Sequence, residues 1–129
     1  MPKDIYPSFR YRDARTAIDW LERAFGFERQ VVYDDDRGGV AHAELRYGDG
    51  LVMLGSEREG DDTGGRHLGR GWAYVAVDDL AAHYEQAKAS GAEIERERQD
   101  EDYGSFYGAR DLEGNHWSFG TYRPARAEG

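Results

Sequence analysis

His42 and Glu44 stand two residues apart, as do His116 and Ser118, Trp72 and Tyr74, and Tyr6 and Ser8. In an extended chain residues i and i+2 share a face, so each pair projects together. A carboxylate beside an imidazole can move a proton or offer two ligands to a divalent cation. Indole and phenol side chains offer stacking surfaces and cation–π faces. Glu44 is therefore the candidate catalytic residue. Tyr6, Ser8, His42, Trp72, Tyr74, Tyr103, Phe106, His116 and Ser118 are the candidate ligand-binding residues. A carboxylate walled by aromatic rings has its pKa raised by desolvation, which suits proton transfer. The plainer reading pairs Glu44 with Arg10 or Arg46 on a neighbouring strand. His67, in a glycine-rich stretch, and His83, on a helix, read as surface residues.

Other chemistries find no support. There is no phosphate-binding loop of the form G-x-x-x-x-G-K-[ST], no G-x-S-x-G turn and no H-E-x-x-H helix. Ser8, Ser105 and Ser118 have no evident base partner. Cysteine is absent, which excludes disulfides, thiolate metal sites and Cys nucleophiles. The 129 residues fit one domain. The net charge of −9 argues against nucleic acid and against anionic membranes. The acidic field would steer a cation inward. The longest apolar run, residues 72–77, is far short of the ~20 residues of a membrane helix. No leader is evident after Met1-Pro2-Lys3-Asp4, so the expected location is cytoplasmic. Aromatic residues are 13% of a chain whose hydrophobic total is only 39%, including nine Tyr and three Trp, which fits a ligand pocket as well as a core.

The elements that must position these residues fall into two halves. Residues 4–12 read as a strand. Asp13 then caps a helix over 14–25, whose Ala14, Ala17, Ile18, Leu21, Ala24 and Phe25 follow a helical stripe, and Gly26 stops it. Strands follow at 27–34, 40–47 and 51–55, separated by Asp- and Gly-rich turns. Residues 55–71 carry six glycines and one aliphatic residue, and read as a connector or lid. The order then repeats: a strand at 72–77, a helix capped by Asp78-Asp79 with Leu80, Tyr84 and Ala87 on one face, a stop at Gly91, and strands at 92–98, 103–109 and 115–122. Gln99 to Asp102 reads as a charged link between two of these strands, and the tail after Pro124 as frayed. The two βαβββ units imply an internal duplication. The expected boundaries are about 4–55 for the first module, 56–71 for the connector, 72–122 for the second module and 123–129 for the tail.

Strand alternation separates an apolar face from an aromatic or polar one in both halves. Ala43 and Leu45 oppose His42 and Glu44. Trp117 and Phe119 oppose His116 and Ser118. Ala73 and Val75 oppose Trp72 and Tyr74. This favours helices on one side of each sheet and a cavity on the other, because large aromatic groups are costly to leave facing water.

Two stretches carry a family resemblance. One runs from Asp13-Ala14-Arg15 through Trp20-Leu21 to Phe25-Gly26-Phe27. The other is Tyr103-Gly104 followed by Arg110-Asp111-Leu112-Glu113-Gly114-Asn115-His116-Trp117, a YG…RD-x-x-G-x-x-W pattern. With the duplicated βαβββ order, they resemble the glyoxalase / bleomycin-resistance / extradiol dioxygenase superfamily. The resemblance implies an α+β fold in which two βαβββ modules form half-barrels around a cavity, and a homodimer that closes it. Catalytic members hold a divalent metal on four strands. Those positions fall here on Tyr6, Glu44, Trp72 and Ser118. Glu44 alone is a competent ligand, so neither a metal nor another cofactor is expected. A displaced site of His42, Glu44 and His116 is the remaining metal alternative. The expected function is metal-free sequestration of an aromatic or cationic small molecule. The alternative is an isomerase, lyase or dioxygenase that uses Glu44 as base or a non-standard metal site.

Overall fold

The computed structural model describes residues 6–57 and 71–123. The glycine-rich stretch with His67 lies mostly outside these residues, as does the tail after Arg123. The described chain is α+β, two βαβββ modules in succession. The first contains β1 (Ser8–Tyr11), α1 (Ala14–Phe25), β2 (Glu28–Asp34), β3 (Val40–Tyr47) and β4 (Gly50–Ser56). The second contains β5 (Trp72–Ala76), α2 (Leu80–Ala89), β6 (Glu93–Glu101), β7 (Gly104–Arg110) and β8 (His116–Gly120).

Local chemistry sets the helix ends. The Asp13 carboxylate accepts from the Thr16 backbone N–H, and the Asp79 carboxylate from that of Ala82. Each satisfies one N–H that the first helical turn leaves unpaired. Gly26 ends α1 in the left-handed conformation at φ 81°, which costs a glycine little.

Each module forms one mixed sheet. The strand orders are β1-β4-β3-β2 and β5-β8-β7-β6, and β1∥β4 and β5∥β8 are parallel. A parallel pair needs a crossover, which the helix and two further strands supply. The charged segment expected to link two strands is itself strand. β6 continues through Gln99 and Asp100 to Glu101, and Asp102-Tyr103 makes a tight turn into β7. Backbone pairing overrides composition here, because an edge strand can present charge to water on both faces.

The core joins the inward faces of both sheets to the buried faces of the two helices. Phe9, Tyr11, Ala43, Leu45 and Leu54 of the first sheet and Tyr107, Ala109, Trp117 and Phe119 of the second are all buried. Helices α1 and α2 pack on each other. Phe25, at the end of α1, lies 4.7 Å from Phe119 and 5.7 Å from Trp117, ring centre to ring centre. Truncating such a buried residue to Ala costs about 2–5 kcal/mol.

His83 corrects the surface reading. It is buried on α2 between two fixed partners, with Nε2 2.8 Å from the Phe25 carbonyl and Nδ1 2.6 Å from the Tyr107 hydroxyl. The carbonyl can only accept, so Nε2 carries the hydrogen and Nδ1 accepts from Tyr107. Burial lowers the imidazole pKa below its ordinary value.

Candidate functional site

Because Trp117, Phe119, Tyr107, Ala43 and Leu45 turn inward, the alternate residues of the same strands turn away from the core. The candidate residues therefore sit on two faces, one per sheet, and form two groups in a single chain.

On the second sheet, register brings the group together. Trp72 pairs with His116 and Tyr74 with Ser118; Ser118 pairs with Gly108, and Phe106 with Gly120. Small residues thus stand opposite or beside the aromatic ones on this face. The result is a hollow of about 360 Å³ lined by Trp72, Tyr74, Tyr103, Phe106, Ser118 and Tyr122, with Arg96, Gly104 and Ser105. The Trp72 indole N–H donates to Ser118 Oγ at 3.2 Å, and the Tyr74 hydroxyl donates to the Tyr122 carbonyl at 2.7 Å. Tyr103 and Phe106 are nearly parallel, 9° apart with centres 6.1 Å apart. Trp72 remains 69% exposed and Tyr103 64%. The cavity expected to shelter these rings is open in one chain.

His116 shares this face but does not line the hollow. Its Nδ1 lies 2.7 Å from Glu95 Oε1, and Arg110 Nε donates to the other oxygen of Glu95 at 2.7 Å. Burial opposes ionisation of Glu95, but Arg110 and His116 outweigh it and lower the carboxyl pKa. The trio of His42, Glu44 and His116 is therefore not assembled within a chain.

On the first sheet, Glu44 is half-buried and holds two partners. His42 Nε2 lies 3.0 Å from Oε2, and the Gln30 side-chain amide donates to Oε1 at 3.0 Å. Arg46, expected as a partner, reaches Glu28 instead. The Glu44 pKa, expected to be raised by desolvation, shifts the other way. Hydrogen bonding from His42, then from Gln30, lowers it. The Tyr33 ring stacks on His42 at 20° and 6.3 Å. Ser8 is exposed on β1 and Tyr6 half-buried just before it.

The four positions at which the resemblance places metal ligands are thus divided. Glu44 lies on one sheet, and Trp72 and Ser118 are bonded to each other on the second. An indole N–H has no lone pair to give. Among the described residues no three His, Asp or Glu converge as a cation site. The donor set does not fit a divalent metal held by His and carboxylate ligands.

Sequence reasoning missed Arg96, Gln30, Glu95 and Gly108, which stands between Arg96 and Ser118 in the sheet register. Gly108 was accessible in principle, because it alternates with Phe106. Arg96 was not, since residues 93–101 hold one apolar residue and show no face.

A larger cavity of about 640 Å³ lies between the modules, where Tyr47 and Asp49 face Asp78, Asp79, His83 and Arg123. Of the candidate residues only Tyr74 lines it. No helix among the described residues is long and apolar enough to cross a membrane.

Comparison with known proteins places this geometry. No curated protein matches the chain. TioX from Micromonospora sp. ML1 is 32% identical, with a TM-score of 0.76 over 98% of this chain and 100% of that one. A bleomycin resistance determinant encoded on the transposon Tn5 shares the fold at 20% identity, with a TM-score of 0.67 over 95% and 100% of the two chains. A glyoxalase I mutant from Zea mays shares it at 19% identity and a TM-score of 0.71; the match covers 92% of this chain and 45% of that one. The profile of one family matches residues 6–119. The chain belongs to the Glyoxalase/Bleomycin resistance protein/Dioxygenase superfamily.

Proposed function

We propose that this protein is a metal-free small-molecule binder that sequesters an aromatic compound in the hollow on the second sheet. The observation that carries the reading is the hollow itself, with its exposed stacking surfaces. Each desolvated stacking or cation–π contact contributes about 0.5–2 kcal/mol. Several of them reach roughly micromolar affinity, about 8 kcal/mol. The match to a bleomycin resistance determinant, at 20% identity, bears on the fold alone. A homodimer fits as well, because both candidate faces point away from the core and a second copy would cover them.

The enzymatic reading rests on Glu44 and has less support. A carboxylate with a lowered pKa is a weak base near neutrality.

The test is fluorescence of Trp72, the exposed one of three tryptophans; Trp20 and Trp117 are buried. A planar aromatic probe should change its emission, and Trp72→Ala, with binding read by isothermal titration calorimetry in both proteins, should weaken binding about tenfold. Metal analysis of untagged protein, purified without chelator, completes the test. Near-stoichiometric metal, or an unchanged affinity in the Trp72→Ala variant, would sink the proposal.

A further inference from the structure

Within the protein's acidic surface, the hollow on the second sheet carries a single charge, and it is positive. None of its described lining residues is Asp or Glu, and Arg96 is the one ionised group among them. Arg96 pairs with Gly108, Gly108 with Ser118, and Ser118 with Tyr74. All four therefore face the same way across the sheet. Gly108 places no side chain between Arg96 and Ser118. The Arg96 Cζ lies 5.8 Å from the centre of the Phe106 ring.

Three carboxylates near Arg96 in sequence are engaged elsewhere. Glu95 holds Arg110 and His116, Glu97 accepts from the Tyr84 hydroxyl, and Asp100 accepts from Ser105. Among the described residues Arg96 has no ion-pair partner; its contact is the Phe106 ring. A guanidinium lying on an aromatic face keeps its N–H donors available and is weakly hydrated.

We infer that the hollow selects aromatic ligands bearing an anionic oxygen, a carboxylate or phenolate on the ring, and that Arg96 determines this specificity. The ligand ring stacks on the aromatic walls while Arg96 donates to the anionic oxygen. This rests on the reading of the hollow as the ligand site. It also reverses the sign that the net charge of −9 indicates. Charges on the outer surface are screened beyond about 8–10 Å at physiological salt, whereas Arg96 acts at contact.

The experiment titrates the protein with 2-naphthoate, 2-naphthylmethanol and 2-naphthylmethylammonium, read by Trp72 fluorescence. The naphthoate should bind about tenfold tighter than the alcohol, the effect of one charge-assisted hydrogen bond at a half-open site. The ammonium should bind more weakly than the alcohol. Arg96→Gln should erase the naphthoate advantage, bringing the ratio of naphthoate to alcohol affinity to about one. Arg96→Lys should keep part of it. Equal binding of all three probes, or a preference for naphthoate that survives in R96Q, would overturn charge selection while the aromatic site stands. If none of the three changes Trp72 emission at millimolar concentration, the aromatic site and the charge selection fall together.

Discussion

The Tyr11 hydroxyl donates to Asp111 Oδ2 across 2.5 Å, joining residues one hundred positions apart. Asp111 is buried and receives four further hydrogen bonds, from the Asn115 side chain, the Trp117 indole and the backbone N–H groups of Glu113 and Asn115. Next to it, the Glu113 carboxylate accepts from the backbone N–H groups of Arg12 and Asp13 at 2.6 and 2.8 Å. The second module's last turn is thereby locked onto the first module's strand-to-helix corner. In the duplicated half, Tyr47 and Asp49 take the places of Asp111 and Glu113, and among the described residues no such lock forms. Asp49 lines the cavity between the modules, where Asp78 is held by Arg123 at 3.0 Å and Asp79 caps α2.

Tyr11→Phe should destabilise the protein by about 1–3 kcal/mol, because it removes one donor from a buried carboxylate. Urea denaturation measures this. A cost near zero would mean that Asp111 is satisfied without the tyrosine. Burial, then the Asp111 charge, raises the Tyr11 pKa well above its ordinary value, so the donor persists at any pH the fold tolerates.

Glu113→Ala should cost about 0.5–2 kcal/mol, the range for a lost carboxylate cap. Its specific mark is faster hydrogen exchange at the Arg12 and Asp13 amides. Unchanged exchange at those two amides would count against the lock.

His83 makes stability depend on pH in a definite direction. Burial lowers its folded pKa below the ordinary 6.5. The unfolded chain therefore takes up a proton first as pH falls. This contribution is intact above 6.5 and is lost between 6.5 and the lower folded value, by at most about 1.4 kcal/mol per pH unit. His83→Gln can keep both hydrogen bonds without titrating. Melting temperatures of wild type and variant should diverge in slope between pH 7 and 5, and parallel slopes would refute the assignment.

Gly108 stands between two residues that line the hollow, Arg96 and Ser118, in the sheet register. A Cβ there meets Arg96 Cβ at 3.5 Å and the Trp117 carbonyl at 3.7 Å, both ordinary contacts. Gly108→Ala should fold normally, and Gly108→Val should weaken binding of an aromatic probe about tenfold or more, at a stability cost of about 1 kcal/mol or less. Undiminished binding in the valine variant would place the ligand elsewhere.

Much of the fold was legible along the chain. The stripe from Ala14 to Phe25, the caps Asp13 and Asp79 and the repeated element order are local signals, written in residue spacing and short-range hydrogen bonding. Alternation also told which residues of the strands face away from the core, and so named Trp72, Tyr74, Ser118, His42 and Glu44. Partners were decided only by the tertiary structure. Whether Glu44 meets Arg46 or Gln30, whether His83 faces water or Tyr107, and whether Arg96 reaches a carboxylate or the Phe106 ring all depend on strand register and on which faces pack together. Those are contacts between segments distant in sequence, and no local pattern encodes them.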